Sequence, residues 1–239
     1  MLFDILGGGD IRDIIISLLL TLPVILVALS FHEAAHAFVA YKMGDRTAYN
    51  LGRVTLNPIK HLDIMGAIWM LIFGFGWAKP VPINARNFKN PKRGMAFTAI
   101  AGPMANLLLG VFGTVIYSVV IFFFSAKFAS ISQNQFVFNV FVMLMNFFYL
   151  FGMMNFILMF FNLIPIPPFD GSRFFSLFLP TRWYFAIMKY ERYTMIAVIA
   201  ISFLCVRLFN ISPVSFVAEK LFDLISNPII TALSNIYVG

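Results

Sequence analysis

Residues 32–36 read His-Glu-Ala-Ala-His. In a helix, positions 32 and 36 fall on one face, one turn apart. Two imidazoles in that relation can share one zinc ion. The glutamate next to the first histidine points away from that shared position. There it can serve as a general base toward a water held at the metal. The chain contains only three His and three Glu, so chance seldom places three of these six residues in this pattern.

Two histidines do not complete a zinc site that performs chemistry, which as a rule has three protein ligands and a water. The longer helical spacing that supplies a third histidine needs Gly at 39 and His at 42, and the chain has Val39 and Lys42. His61, in a basic loop, reads as an interface residue. Glu191, near Lys189 and Arg192, reads as a surface charge. Asp170 is the stronger candidate. It follows Pro165-Ile166-Pro167-Pro168-Phe169, where prolines impose extended backbone and withhold helical hydrogen bonds. Such a break can aim a carboxylate back toward a buried metal. It can equally make Asp170 the N-cap of a new helix. The residues alone leave both readings open.

The elements that must position these groups are membrane helices. Of the 239 residues 61% are hydrophobic and 11% charged, against about 25% charged in soluble domains. Ile14–Phe31, Gly94–Ala126 and Phe128–Phe169 carry no charge, and a span needs about 20 mainly apolar residues. Three polar functional residues at the end of the first run are a costly placement that membrane proteins reserve for function. The pattern predicts an all-α polytopic membrane protein with about 4–6 membrane helices. Long helices are expected over 11–43, 94–125 and 136–162, and another over 184–208. The segment 213–233 mixes charges with apolar residues and either lies in the interface or spans weakly. Between 64 and 84, glycines 66, 74 and 76 and prolines 80 and 82 predict a short re-entrant or β-hairpin segment, buried in protein or lining a wet cavity. One domain over 1–239 is expected, with a core at about 15–175 and C-terminal helices at about 184–239.

The net charge of +7 does not point to nucleic acid, because the basic residues cluster. Nine Lys or Arg lie between Lys42 and Arg93, against Asp45 and Asp63. Basic segments beside spans face the cytoplasm and can touch anionic lipid. This puts 42–93 and 173–192 on the cytoplasmic side, with 127–135 opposite. The single Cys205 excludes an internal disulfide and a cysteine metal cluster. The acidic start, with Asp4, Asp10 and Asp13, is unlike a cleavable signal.

Three motifs together resemble the site-2 protease family of intramembrane metalloproteases. They are His32-Glu33-Ala34-Ala35-His36, then Gly102-Pro103-Met104-Ala105-Asn106, which fits Gly-x-x-x-Asn, and Asn162-Leu163-Ile164-Pro165-Ile166-Pro167-Pro168-Phe169-Asp170-Gly171, which fits Asn-x-x-Pro-x-Pro-x-x-Asp-Gly. The resemblance covers about residues 15–175 and is closest to the compact subgroup that lacks PDZ and cystathionine-synthase-type modules. It implies one Zn²⁺ per chain held by His32, His36 and Asp170, with Glu33 as the base. It implies that Asn106 positions substrate or donates to the oxyanion. On its own, Asn106 reads as a polar residue bonding between helices. The segment 76–82 resembles the family's membrane-dipping hairpin, an edge where an extended substrate could dock. The implied partners are a transmembrane protein substrate and the lipid bilayer. The charge distribution puts the site toward the cytoplasm, and the lack of targeting signals leads us to expect a prokaryotic cell membrane.

Two rival functions use the same histidines. A metal-ion transporter would pass ions between them but gives Glu33 no distinct task. An inactive relative would bind membrane segments without cutting.

Overall fold

The computed structural model describes residues 10–66, 78–180, 182–183, 190, 193–194, 196–197, 200 and 213–238. The chain is an all-α polytopic membrane protein. Among the described residues, three helices are long and apolar enough to cross a bilayer, within Ile15–Lys42, Pro91–Ala126 and Gln135–Asn162. The α-helices in chain order are α1 (Ile11–Lys42), α2 (Thr47–Asn50), α3 (Pro58–His61), α4 (Pro91–Ala126), α5 (Phe128–Ile131), α6 (Gln135–Asn162), α7 (Asp170–Phe175) and α8 (Pro213–Val238).

Local chemistry explains the helix ends. Asp10 caps α1, its carboxylate accepting the Arg12 N–H at 2.9 Å. At the other end, Gly44 takes a φ of 110°, the left-handed conformation that glycine adopts just past a helix. At 32 residues, α1 runs about 48 Å. That exceeds the ~30 Å hydrocarbon core, so a helix of this length must tilt or project beyond the apolar zone. Helix α4 begins at Pro91, three residues before the expected start. Proline suits the first helical position, where its missing N–H is not needed. The observed bounds of α1 and α6 lie within one residue of those expected.

The expected hairpin falls largely on residues outside those described, as does most of the expected helix over 184–208. The flanks of the former do meet: Leu62 and Ala78 form an antiparallel bridge, and the Lys79 N–H donates to the His61 carbonyl at 2.8 Å. No longer strand occurs among the described residues. The segment 213–233 is helical, within α8, and carries Pro228 inside it.

The chain divides into two compact units. The first comprises residues 1–105 and 162–195, and the second 106–161 and 196–239. The second unit has a core of Met153, Phe156, Ala218 and Phe222, so α8 packs on α6 there. Glycines permit the close approach. A methyl group at Gly110 would strike the Phe156 ring, and one at Gly152 would strike the Phe222 ring. Buried hydroxyls in this unit are satisfied within their own helix: Thr114 donates to the Gly110 carbonyl and Ser118 to that of Thr114, both at 2.8 Å.

The first unit is tied together by buried polar side chains. Asp45, fully buried, accepts from the Thr47 N–H at 3.0 Å, the Asn87 amide at 2.8 Å and the Asn84 N–H at 2.7 Å. It joins the end of α1 to the segment preceding α4. Arg53, also buried, donates to the Lys79 carbonyl.

Candidate active site

Helix periodicity places His32 and His36 on one face of α1. Their ring centroids lie 4.5 Å apart and nearly perpendicular, at 85°. The two Nε2 atoms are 2.9 Å apart, and each lies 3.1 Å from Asp170 Oδ2. Both histidines are buried. A third element, α4, fixes the pair from above. The Thr98 carbonyl lies 2.7 Å from His36 Nδ1. A carbonyl can only accept, so Nδ1 carries a proton, and in the neutral ring Nε2 is left to present its lone pair to a metal. That nitrogen faces the Asp170 carboxylate. Two imidazoles and a carboxylate converging in this way form a group that can hold a metal ion, and two nitrogens with one oxygen suit zinc. The donor chemistry therefore fits the ion that the sequence motifs imply.

Gly102 makes this crossing possible. A methyl group there would collide with His36 Nε2 and would lie 2.6 Å from His32 Nε2. Gly102 was legible as part of the Gly-x-x-x-Asn pattern, but its contact with both rings was not.

Asp170 reaches the histidines from the proline-broken segment. It is the first residue of α7, with Phe169 as the N-cap. The capping reading of Asp170 therefore does not hold, because its carboxylate turns to the imidazoles. Gly171 lets the chain fold back this tightly, since a side chain there would run into the Leu163 and Ile164 carbonyls.

Glu33 shares a cavity with these residues. Its Oε2 accepts the Val81 N–H at 3.0 Å. Glu33 and the three converging residues line a cavity of about 140 Å³ that Pro80, Val81 and Arg173 also border. Sequence reasoning placed Val81 only in the 76–82 segment where substrate could dock, not against Glu33, and named neither Thr98 nor Arg173 as part of the site. A backbone donor and a backbone acceptor leave no trace in residue type. Arg173 lies one turn beyond Asp170 on α7, a spacing that could have signalled it.

Of the two other candidates, one is described. His61 is buried in α3, its Nε2 2.7 Å from the Thr55 carbonyl. It is not in the converging group. Glu191 lies outside the described residues. Asn106, in the second unit, is buried and donates its amide to Asn155 Oδ1 at 2.9 Å. Asn155 in turn donates to the Phe151 carbonyl at 2.8 Å, which turns its oxygen toward Asn106. Asn155 was not singled out from the sequence, although an asparagine in an apolar span is itself a signal.

A helical membrane chain that gathers two histidines, an aspartate and a glutamate around one cavity has the constitution of a metallopeptidase. It belongs to peptidase family M50, whose profile matches residues 20–208. It is 42% identical over 156 residues to "Putative zinc metalloprotease YwhC" of Bacillus subtilis (strain 168), a match covering 65% of this chain and 67% of that protein. It is 30% identical over 91 residues to "Putative zinc metalloprotease Rip2" of Mycolicibacterium smegmatis, covering 36% of this chain and 35% of that one. No solved structure matches the chain.

Proposed function

We propose that the protein is a zinc-dependent endopeptidase that hydrolyses peptide bonds within or near transmembrane segments of other membrane proteins. The observation that carries this reading is the convergence of His32 Nε2, His36 Nε2 and Asp170 Oδ2 within 3.1 Å of one another, with Glu33 on the same cavity. These three residues would hold one Zn²⁺. When bound, zinc supplies Lewis acidity, polarising the scissile carbonyl and acidifying water.

The chain's own residues do the rest. Glu33 takes a proton from the attacking water and delivers it to the leaving nitrogen, a general base and then a general acid. His36 keeps its Nδ1 proton on the Thr98 carbonyl, which fixes the tautomer and the ring plane. For Asn106 the Gly-x-x-x-Asn motif alone supports a donor role toward the developing oxyanion, a contribution of about 2.7–4 kcal/mol in sites of this kind. A helical substrate hides its carbonyls in hydrogen bonds, so it must unwind locally to be cut. Helix-breaking residues in a transmembrane segment favour that step. The basic residues between Lys42 and Arg93 support a cytoplasmic bias for the site and release of a cytosolic fragment.

The test is zinc content and cleavage of a model transmembrane substrate in detergent. Wild type holds about one zinc and cuts. Glu33→Gln keeps zinc and loses cleavage, and Asp170→Ala loses the metal. Full zinc and full activity in Asp170→Ala would remove the third ligand from the reading. Metal flux retained in Glu33→Gln would favour transport instead.

A further inference from the structure

We propose that the backbone N–H of Val81 is a positioning group for Glu33, and that residues 79–84 form a wall built to hold that donor in place. The inference rests on the reading of Glu33 as the base. Glu33 has a long side chain with several rotamers, and proton transfer needs one geometry. Oε2 accepts the Val81 N–H at 3.0 Å.

The sequence around Val81 makes this donor singular. Pro80 and Pro82 have no N–H, so Val81 supplies the only amide donor of residues 80–82. Each proline also holds the residue before it extended, which applies to Lys79 and to Val81 itself. A stretch with one donor and little backbone freedom can present that donor in one direction.

The wall is tied down on both sides of Val81 by contacts that do not involve Glu33. On one side the Lys79 N–H donates to the His61 carbonyl at 2.8 Å, and buried Arg53 donates to the Lys79 carbonyl. On the other, the Asn84 N–H donates to Oδ2 of buried Asp45 at 2.7 Å. The Val81 N–H is therefore placed by the scaffold and Glu33 conforms to it. Anchoring one carboxylate oxygen leaves the other to handle the proton on the cavity side. Outer contacts of this type commonly control the activity of metal sites.

The same amide has a rival use. The carbonyl of an extended substrate could take it, in which case the bond to Glu33 would be a latch that substrate must break. Replacing the Val81 amide by an ester, with 2-hydroxyisovaleric acid in place of valine, separates the two. The side chain stays and the donor is lost. The expected result is unchanged zinc content, unchanged KM and a kcat lower by about 10- to 100-fold. A kcat equal to or above wild type, or a rise in KM alone, would overturn the proposal. Arg53→Gln loosens the wall away from Glu33 without altering the main chain. It should lower kcat in the same sense with zinc retained, and an unchanged kcat would remove the wall from the argument. A readout independent of activity is the Val81 amide resonance in valine-labelled, metal-free protein. It should shift upfield in Glu33→Ala, and an unmoved resonance would sink the proposal. A wild type that cuts no transmembrane substrate would overturn the reading of Glu33 as base, and this proposal with it. An ester variant as fast as wild type would overturn this proposal alone.

Discussion

Gly102 of α4 lies so close to the ring of His32 that a single added methyl group would sit 2.6 Å from Nε2. The same methyl would strike His36 Nε2. The glycine is thus a spacing device that lets a backbone pass directly over two buried imidazoles. Gly102→Ala should displace both rings, at a cost of about 1–3 kcal/mol typical of overpacking. Zinc affinity, measured by competition with a chelator, should fall by about 10- to 100-fold. Wild-type affinity would show that the rings can yield without loss.

The proposed base and the proposed ligands should separate cleanly in kinetics. Glu33→Gln removes proton transfer and leaves the His32, His36 and Asp170 set intact. Single-turnover cleavage should slow by about 100- to 10,000-fold, with zinc content by elemental analysis unchanged.

Asp45 should confer an acid limb on stability. Burial alone would raise its carboxyl, but bonds from Thr47, Asn84 and Asn87 hold it below 3.8. A folded-state value below the unfolded one gives stability that is fully present above the unfolded value. It is lost as the pH falls through 3.8 toward the folded value. Asp45→Asn should flatten that limb and cost about 1.5–3 kcal/mol near neutral pH. Thermal unfolding in detergent as a function of pH reads both effects. An acid limb identical to wild type would show that another carboxylate is responsible.

Asn155 should matter to the second unit. Asn155→Leu removes the acceptor of the Asn106 amide at 2.9 Å. It should lower thermal stability by about 1–3 kcal/mol, whereas Asn155→Gln or a surface control such as Asn139→Leu should differ from it in size. Equal stability of Asn155→Leu and wild type would show that the helices repack without the pair.

Metal removal offers a further check. A ligand that binds only the folded state raises the unfolding temperature by mass action. Stripping zinc with a chelator should therefore lower the Tm of wild type and leave that of Asp170→Ala unmoved. Adding zinc back should restore the wild-type value.

Local patterns determined much of this molecule. Three uncharged runs specified the long helices, because twenty apolar residues have no stable place in water. Gly44 closed α1 where its φ of 110° required a glycine. The four-residue spacing of His32 and His36 set both rings on one face, since the period of a helix is a local property. The third converging group was different. Asp170 lies 138 residues from His32, and proline rules allowed either a helix cap or a carboxylate turned inward. Only the tertiary approach of Asp170 to the His32 and His36 rings chose between them. The Thr98 carbonyl on His36 and the Val81 N–H on Glu33 were hidden for a related reason. They are main-chain groups, 62 and 48 residues away along the chain, and every residue but proline carries the same pair of them. Which amide or carbonyl meets a given side chain is decided when helices and walls pack, and no residue type records it.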